Sequence, residues 1–575
     1  MVDQVYPPKV ERALVFQGGG SLGAYEAGVF HILYHWIRKD IKENEIENIF
    51  DIIAGTSIGA VNASIIINHF LENKEKDEKN KHHNKNTQYW EFAPEKLIQF
   101  WMTISSPYVY YDFWTKILVK NWDNNRQLLS NIFPLFEDLL PSGESMRRYQ
   151  STRMSITFGE PYVFYPLFIP PFPTPGYNKF FDYIYPTTKW YQYSNQPLAR
   201  SIISFADKLS YDKIAKKGGI RTSYEQGEPR LLLIAADVET AKTAVFDSYD
   251  DEIINNKDIA GNDDNHVITI DHVLASCAIP INFSYVEING RKYWDGGILS
   301  NTPVTELIHK HDEFWIKRLG LDSVNSSLKN SESNNKLTND DYDDDDDVIK
   351  LNEIIHEKEI PNLELSIVNL HPSEEKDEQI PSLYDYDMTK DRENDIRFHD
   401  KTEYDIRMAQ IVSDYHELAK SLLDLVVDSI KKIKKIGDKN DDIHELKRNL
   451  KVILNQEQRT SSHKGNPRYY YDLLKKKFDV EEVIKVQRKD DKHTISDKIF
   501  DFSSITILNL LREGEKDTLN ELLEKEIENK GNKNALNELQ KFIEDIKDEK
   551  IESEENQYLI QLAEEKLNEL QSKSK

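Results

Sequence analysis

The stretch of this 575-residue chain best fitted to covalent chemistry is Gly55-Thr56-Ser57-Ile58-Gly59. A short apolar run, residues 50–54, enters it, and residues 60–69, of helix length with an apolar face, leave it. A serine between two glycines at a strand-to-helix turn is a nucleophile elbow. The turn is too tight for a Cβ beside it, and the hydroxyl stands out at the helix N-terminus. A serine so placed attacks a carbonyl. It then needs a base for its proton and N–H donors for the oxygen that becomes negative. Residues 12–16 read as a buried strand, followed by Gln17 and Gly18-Gly19-Gly20-Ser21-Leu22-Gly23. Val29, Leu33 and Trp36 then recur at helical spacing. A glycine loop at a helix N-terminus presents free N–H groups to negative charge. We read Gly18, Gly19 and Gly20 as an oxyanion hole. Gly18, Gly20 and Gly23 also satisfy the dinucleotide fingerprint G-x-G-x-x-G. That fold wants an acid at the end of the second strand, to hold a ribose. Here the second strand ends in the serine, with Asp51 at its start, so a nucleotide-binding module is the alternative and not the first reading.

The base is sought further along. Residues 286–294 form a hairpin pattern turning at Asn289-Gly290, and they deliver Asp295-Gly296-Gly297. Glycines after the aspartate let its turn approach another backbone closely. Alone, Asp-Gly-Gly is an ordinary turn; its weight comes from following the other two motifs. His272 is the histidine nearest in sequence and reads as a structural surface residue, a base only if the aspartate fails. Cys277 is the chain's single cysteine and, without a basic neighbour, reads as a core thiol.

Several elements must position these groups. Residues 230–238 are a fully buried strand with 243–246 as its neighbour, and 271–278 are a short helix ended by Pro280. Residues 71–88 are polar and read as a solvated connection, the pair His82-His83 included. Residues 161–193 carry 13 Phe, Tyr or Trp among 33 residues, interleaved with seven prolines. Proline at that density prevents a regular helix or central strand. We expect an ordered loop or lid whose apolar surface walls a lipid-sized pocket or forms a membrane-touching edge; the alternative is a loop packed onto the core by its own aromatics. Residues 363–370 alternate and read as a strand returning to the main sheet. Residues 404–436 read as a long helix with Met408, Ile411, Tyr415, Leu418, Leu422 and Leu425 at helical spacing. Residues 437–495 are polar and mixed.

Composition bounds the rest. The net charge of −26 argues against a nucleic-acid binder, because phosphate contact needs basic patches. It also disfavours broad electrostatic adhesion to anionic lipid, though not a local apolar contact. No apolar run is long enough to span a bilayer. The N-terminus lacks the basic and apolar regions of a signal peptide. One cysteine excludes an intrachain disulfide and suits the cytoplasm. The block Asp343 to Asp347 self-repels and reads as disorder and not as a calcium loop.

The three motifs, in this order, resemble the patatin-like phospholipase family. Leu274-Ala-Ser-Cys-Ala-Ile-Pro280 and Ser300-Asn-Thr-Pro303 are similar to family blocks as well. Leu22 stands where many members carry a basic residue. In this it resembles a longer prokaryotic branch with an extra C-terminal region, and Asp395-Ile-Arg-Phe398, Thr402-Glu-Tyr-Asp405 and Phe500-Asp-Phe-Ser503 look like pieces of that region. The resemblance implies an α/β fold: a three-layer α/β/α sandwich around a mainly parallel sheet, here with a C-terminal α-helical extension. It implies acyl-ester hydrolysis by a Ser57–Asp295 dyad, with Gly23, Gly55, Gly59, Gly296 and Gly297 as motif glycines and no cofactor or metal. The domain expectation is a catalytic domain over 10–320, with 71–88 and 161–193 as loops or insertions. An acidic disordered linker follows over 321–348, then a strand and long helices over 349–515 and a charged helical tail over 516–575. The expected substrate is a lipid acyl ester, with phospholipase A-type cleavage, at the surface of a membrane, lipid body or storage granule. An intracellular polyhydroxyalkanoate-type polyester is the rival substrate, and a non-catalytic scaffold acting through its C-terminal helices is the rival class.

Overall fold

A computed structural model of the chain describes residues 7–41, 48–80, 86–105, 142–169, 172–173, 192–212, 217–249, 267–319, 360–372, 386–399, 402–436, 478–489, 493–548 and 554–573, with isolated positions between 117 and 126 and between 445 and 456. Strand β1 is Val10–Phe16, followed by helix α1, Gly23–Arg38. Then come β2, Ile52–Thr56, and α2, Ile58–Asn80. Helices α3, Ala93–Ile104, α4, Gly143–Phe158, and α5, Gln196–Phe205, lead to β3, Arg230–Asp237, and β4, Lys242–Asp247. Helix α6, Ile270–Ser276, precedes the hairpin of β5, Val286–Ile288, and β6, Arg291–Asp295. Helix α7 is Val304–Arg318, β7 is Asn362–Asn369, α8 is Tyr386–Phe398 and α9 is Thr402–Ile436. Strand β8, Val480–Gln487, and helices α10, Ser504–Lys530, α11, Asn532–Asp548, and α12, Glu554–Lys573, complete the order.

Eight strands form one sheet in the order β5-β6-β3-β2-β1-β7-β8, with β4 also paired to β3. Strands β1, β2 and β3 run parallel. Strand β3 is buried at every position and reads Arg-Leu-Leu-Leu-Ile-Ala-Ala-Asp, the continuous apolar run that a parallel strand covered on both faces requires. Its register sets up the site. Strand β4 covers Leu232 to Asp237 along one edge of β3. On the other edge β2 arrives in parallel and ends with Thr56 opposite Ile234, while β6 arrives antiparallel and ends with Asp295 opposite Ala235. Two strands thus stop end to end on consecutive residues of β3.

The chain divides into two units. The larger comprises Arg12–Pro303, Ser366–Asp400 and Ile484–Lys575, and it holds the core. There α1 is buried along its length from Gly23 to Trp36, so it has no polar face to show. It meets α10 at backbone distance: a Cβ on Gly28 would lie 2.0 Å from the Leu511 carbonyl oxygen, and one on Gly514 would lie 2.2 Å from that of Tyr25. The polar groups on this contact are paired. Tyr25 donates to Asp517 at 3.0 Å, His31 Nδ1 lies 2.8 Å from Glu515, and His35 Nδ1 lies 3.0 Å from Asp545 of α11. The charged tail is therefore a helical layer on α1, and its first helix begins at Ser504, before 516.

The smaller unit comprises Met1–Glu11, Val304–Leu365 and Lys401–Val483. In it Trp315 of α7 donates to Glu11 at 3.0 Å. On α9, Leu423 and Val427 are buried, whereas Met408, Tyr415, Leu418, Leu422 and Leu425 are exposed. The apolar periodicity locates this helix but not its packed face.

Three further expectations meet the structure differently. Residues 71–80 are not a connection; they continue α2, and their charges pair on its surface, as in Glu75–Lys79 at 2.7 Å and Glu72–Lys96 at 2.8 Å. Strand β8 lies within the mixed segment 437–495, where its apolar residues are too few to mark it. The described parts of the aromatic segment include two-residue ribbons, Tyr165–Pro166 with Tyr193–Ser194 and Phe168–Ile169 with Phe172–Pro173. Residues 161–164 lead into these ribbons, with Val163 and Phe164 buried. Residues 170–171 and 174–191, together with His82-His83 and the acidic block 321–348, lie outside the described residues.

Candidate active site

Ser57 sits at the N-terminus of α2 with φ of 54°, the left-handed region that non-glycine residues avoid, so the elbow holds it under strain. The flanking glycines answer to packing. A Cβ on Gly55 would lie 2.3 Å from the Gly59 carbonyl oxygen, and one on Gly59 would lie 2.7 Å from that of Phe16. Because β2 and β6 stop on adjacent residues of β3, the serine and the aspartate meet. Ser57 Oγ donates to Asp295 Oδ2 at 2.7 Å. Asp295 Oδ1 accepts the Gly297 N–H at 2.7 Å, in the turn after β6. Gly296 packs against β3, where a Cβ would lie 2.5 Å from the Ile234 carbonyl oxygen. Both partners of the pair are buried, and among the described residues no histidine bonds to either.

Burial pushes the Asp295 carboxyl up to about 7; the Ser57 hydroxyl and the Gly297 N–H oppose the shift without cancelling it. With no cation beside it among the described residues, this carboxyl titrates where a general base is useful. Burial also pushes the Cys277 thiol well up, with Asp295 adding to the effect. The thiol packs in the core as expected, and its Sγ donates to the Ser57 carbonyl oxygen at 3.2 Å, so it also touches the elbow.

The glycine loop lies across the elbow. A Cβ on Gly18 would lie 3.0 Å from the Ser57 Cβ and 2.4 Å from Asn301 Oδ1, and a Cβ on Gly23 would lie 2.6 Å from Ile58. The three glycines first read as donors do not stand alike. The Gly18 N–H is taken by the Asn301 carbonyl oxygen at 3.1 Å. Among the described residues, the N–H groups of Gly19 and Gly20 have no acceptor. His272 corrects the surface reading. It is half-buried, its ring lies 4.6 Å from that of Phe246, and Nδ1 accepts the Thr269 N–H at 3.0 Å, capping its own helix. Burial drops its pKa to about 4, so it is spent on structure.

Two residues of the site were passed over by motif reading. Ser276 accepts the Ser57 N–H at 2.8 Å and donates to the Ile234 carbonyl oxygen at 2.5 Å, tying the elbow to β3. Asn301 receives Gly18 as described. The signal for both was present, since they lie inside the blocks 274–280 and 300–303. Asp51 accepts the Arg12 N–H at 2.9 Å, a strand-start contact and not a ribose site. Among the described residues no group of three or more His, Cys, Asp or Glu is arranged to hold a metal ion, and no helix is long and apolar enough to cross a membrane.

In the comparison with protein families, the model of patatin-like phospholipases fits residues 14–308, just over half of the chain. No curated protein matches the chain.

Proposed function

Because the chain belongs to the patatin-like phospholipase family, whose members are lipid acyl hydrolases, we propose that it cleaves acyl esters of lipids, phospholipase A-type, through a Ser57–Asp295 dyad. The observation that carries this reading is the 2.7 Å hydrogen bond from Ser57 Oγ to a buried carboxylate that no cation among the described residues neutralises. Asp295 accepts the Ser57 proton as Oγ attacks the acyl carbonyl. The N–H groups of Gly19 and Gly20 receive the oxyanion of the tetrahedral intermediate. The intermediate collapses, the leaving alcohol takes the proton from Asp295, and the acyl group remains on Ser57. A water then gives its proton to Asp295 and attacks the ester, which releases the free acid and restores the serine. Exposed Ile298 and Leu299 follow Asp295 closely, and exposed Ile281 follows Cys277, so the surroundings offered to an acyl chain are apolar.

The test is a panel of phospholipid, neutral lipid and polyhydroxyalkanoate presented to the wild type, Ser57→Ala and Asp295→Asn. Turnover of a phospholipid or neutral lipid by the wild type alone supports the lipid reading. Turnover confined to the polyester moves the substrate to the rival class with the dyad intact. Equal turnover by all three proteins removes the dyad.

A further inference from the structure

The glycine loop is gripped from behind, mostly by chain beyond the family match. Gln17, the residue before Gly18, is fully buried. Its Nε2 donates to Thr302 Oγ1 at 2.7 Å and to the carbonyls of His399 and Phe398 at 3.1 and 3.3 Å. Its Oε1 accepts the N–H groups of Leu370 at 2.6 Å and His371 at 3.0 Å. One amide side chain thus spends both ends on three separate segments. Asn301 works beside it, with Nδ2 donating to the Phe398 carbonyl at 2.7 Å and to that of Gly18 at 3.1 Å. Further round the loop, Ser21 Oγ donates to the Lys498 carbonyl at 2.9 Å, and a Cβ on Gly20 would lie 2.5 Å from the Ile499 carbonyl oxygen.

These contacts are themselves locked. Lys498 Nζ lies 2.8 Å from Asp395 and 3.2 Å from Asp391, and Asp395 Oδ1 lies 3.0 Å from His371 Nδ1. All four side chains are buried. Buried ion networks add little net stability over an apolar core of the same shape, but they are directional and fix one geometry. The place fixed here is the backbone whose N–H groups would meet the oxyanion.

We propose, on the basis of the hydrolase reading above, that Gln17 is the positioning residue of the oxyanion loop, and that the Lys498–Asp395–His371 network behind it makes the C-terminal region a working part of the active site. An oxyanion donor acts only within a narrow range of distance, so loosening the loop costs turnover and leaves ground-state binding of the ester intact.

The experiment uses the full chain and a p-nitrophenyl acyl ester, with kcat and KM measured separately. Excess fluorophosphonate titrates the competent serines, so that rates are per active site. For Gln17→Met and Lys498→Met the expected result is a kcat about 100-fold below wild type, the cost of a misplacement of roughly 1 Å, with KM within about twofold. Lys498→Arg keeps the charge and should recover about tenfold of that loss. If the stronger variants do not fold, Thr302→Val removes one Gln17 bond in nearly the same volume, and a kcat lowered about fivefold at constant KM is expected. A kcat within about twofold of wild type in folded variants, or a KM that rises in step with the loss, overturns the clamp while the hydrolase stands. A wild type that neither turns over esters nor takes the label on Ser57 overturns the hydrolase reading, and the clamp falls with it.

Discussion

Beside the two ends of β3 lie two buried aspartates of neighbouring strands, Asp247 of β4 and Asp295 of β6, in opposite circumstances. At the strand's start, Arg230 Nε and Nη2 donate to the two oxygens of Asp247 at 2.9 and 2.5 Å. Near its end, Asp295 faces Ala235 and, among the described residues, has only a hydroxyl and a backbone N–H as hydrogen-bond partners. Both carboxylates are almost wholly removed from water. The first is balanced by a bidentate guanidinium and ties β3 to β4. The second is left with neutral donors, and burial drives its pKa up to about 7. The difference is the presence or absence of one cation. A buried aspartate with its counter-ion is architecture, and without it the same side chain is, under the proposed dyad, a proton acceptor that the fold supports at a cost to its own stability.

That contrast can be broken at either end. The largest expected effect is at the nucleophile: Ser57→Ala should lower kcat by roughly 10⁴- to 10⁶-fold in an ester-hydrolysis assay while leaving the thermal midpoint near wild type. Asp295→Asn keeps the shape and removes the base, and a kcat loss of roughly 10³- to 10⁴-fold is expected. Arg230→Met tests the other end. It strands Asp247 without a counter-ion, and chemical denaturation should show a loss of about 3–5 kcal/mol, with turnover per folded molecule unchanged. A smaller effect is the pH profile. Asp295 must be ionised to act, so kcat/KM should fall about tenfold per unit below pH 7 and level off above it. The smallest is a stability change of opposite sign. The folded carboxyl keeps its proton up to about 7, against an ordinary value of 3.8, so the folded state binds more protons than the unfolded between those limits. Stability from this group is therefore lost as pH rises from about 4 to 7. Asp295→Asn, which is neutral throughout, should melt above wild type at pH 8 and level with it at pH 4.

The parts legible in the sequence were those where the backbone has few choices. An elbow, a glycine loop and an aspartate before two glycines each demand particular residues, so the meeting of Ser57 with Asp295 could be expected without coordinates, and the family resemblance pointed to the layered sheet. What escaped depends on partners distant in sequence. Nothing local marks Gln17, because its bonds reach residues more than 280 positions away. Gly18 shares the composition of its neighbours, and only the carbonyl of Asn301 distinguishes it. Helix α9 has an apolar stripe that the periodicity reveals, yet its buried residues are Leu423 and Val427. On α10 the reverse holds: a charged sequence is packed through Gly514, and its acids Glu515 and Asp517 pair with α1. Periodicity reports that a helix exists, whereas small residues and matched polar pairs decide where it docks.

The account rests on Asp295 acting as the base for Ser57. The most direct measurement is the rate at which a fluorophosphonate modifies the protein across pH 5 to 9, with the modified residue located by peptide mass spectrometry, in wild type and Asp295→Asn. The account predicts modification at Ser57, a wild-type rate that climbs with pH and levels near 7, and a slow rate without that step in Asp295→Asn. Modification at another residue, or the same pH-dependent rate in both proteins, would contradict it.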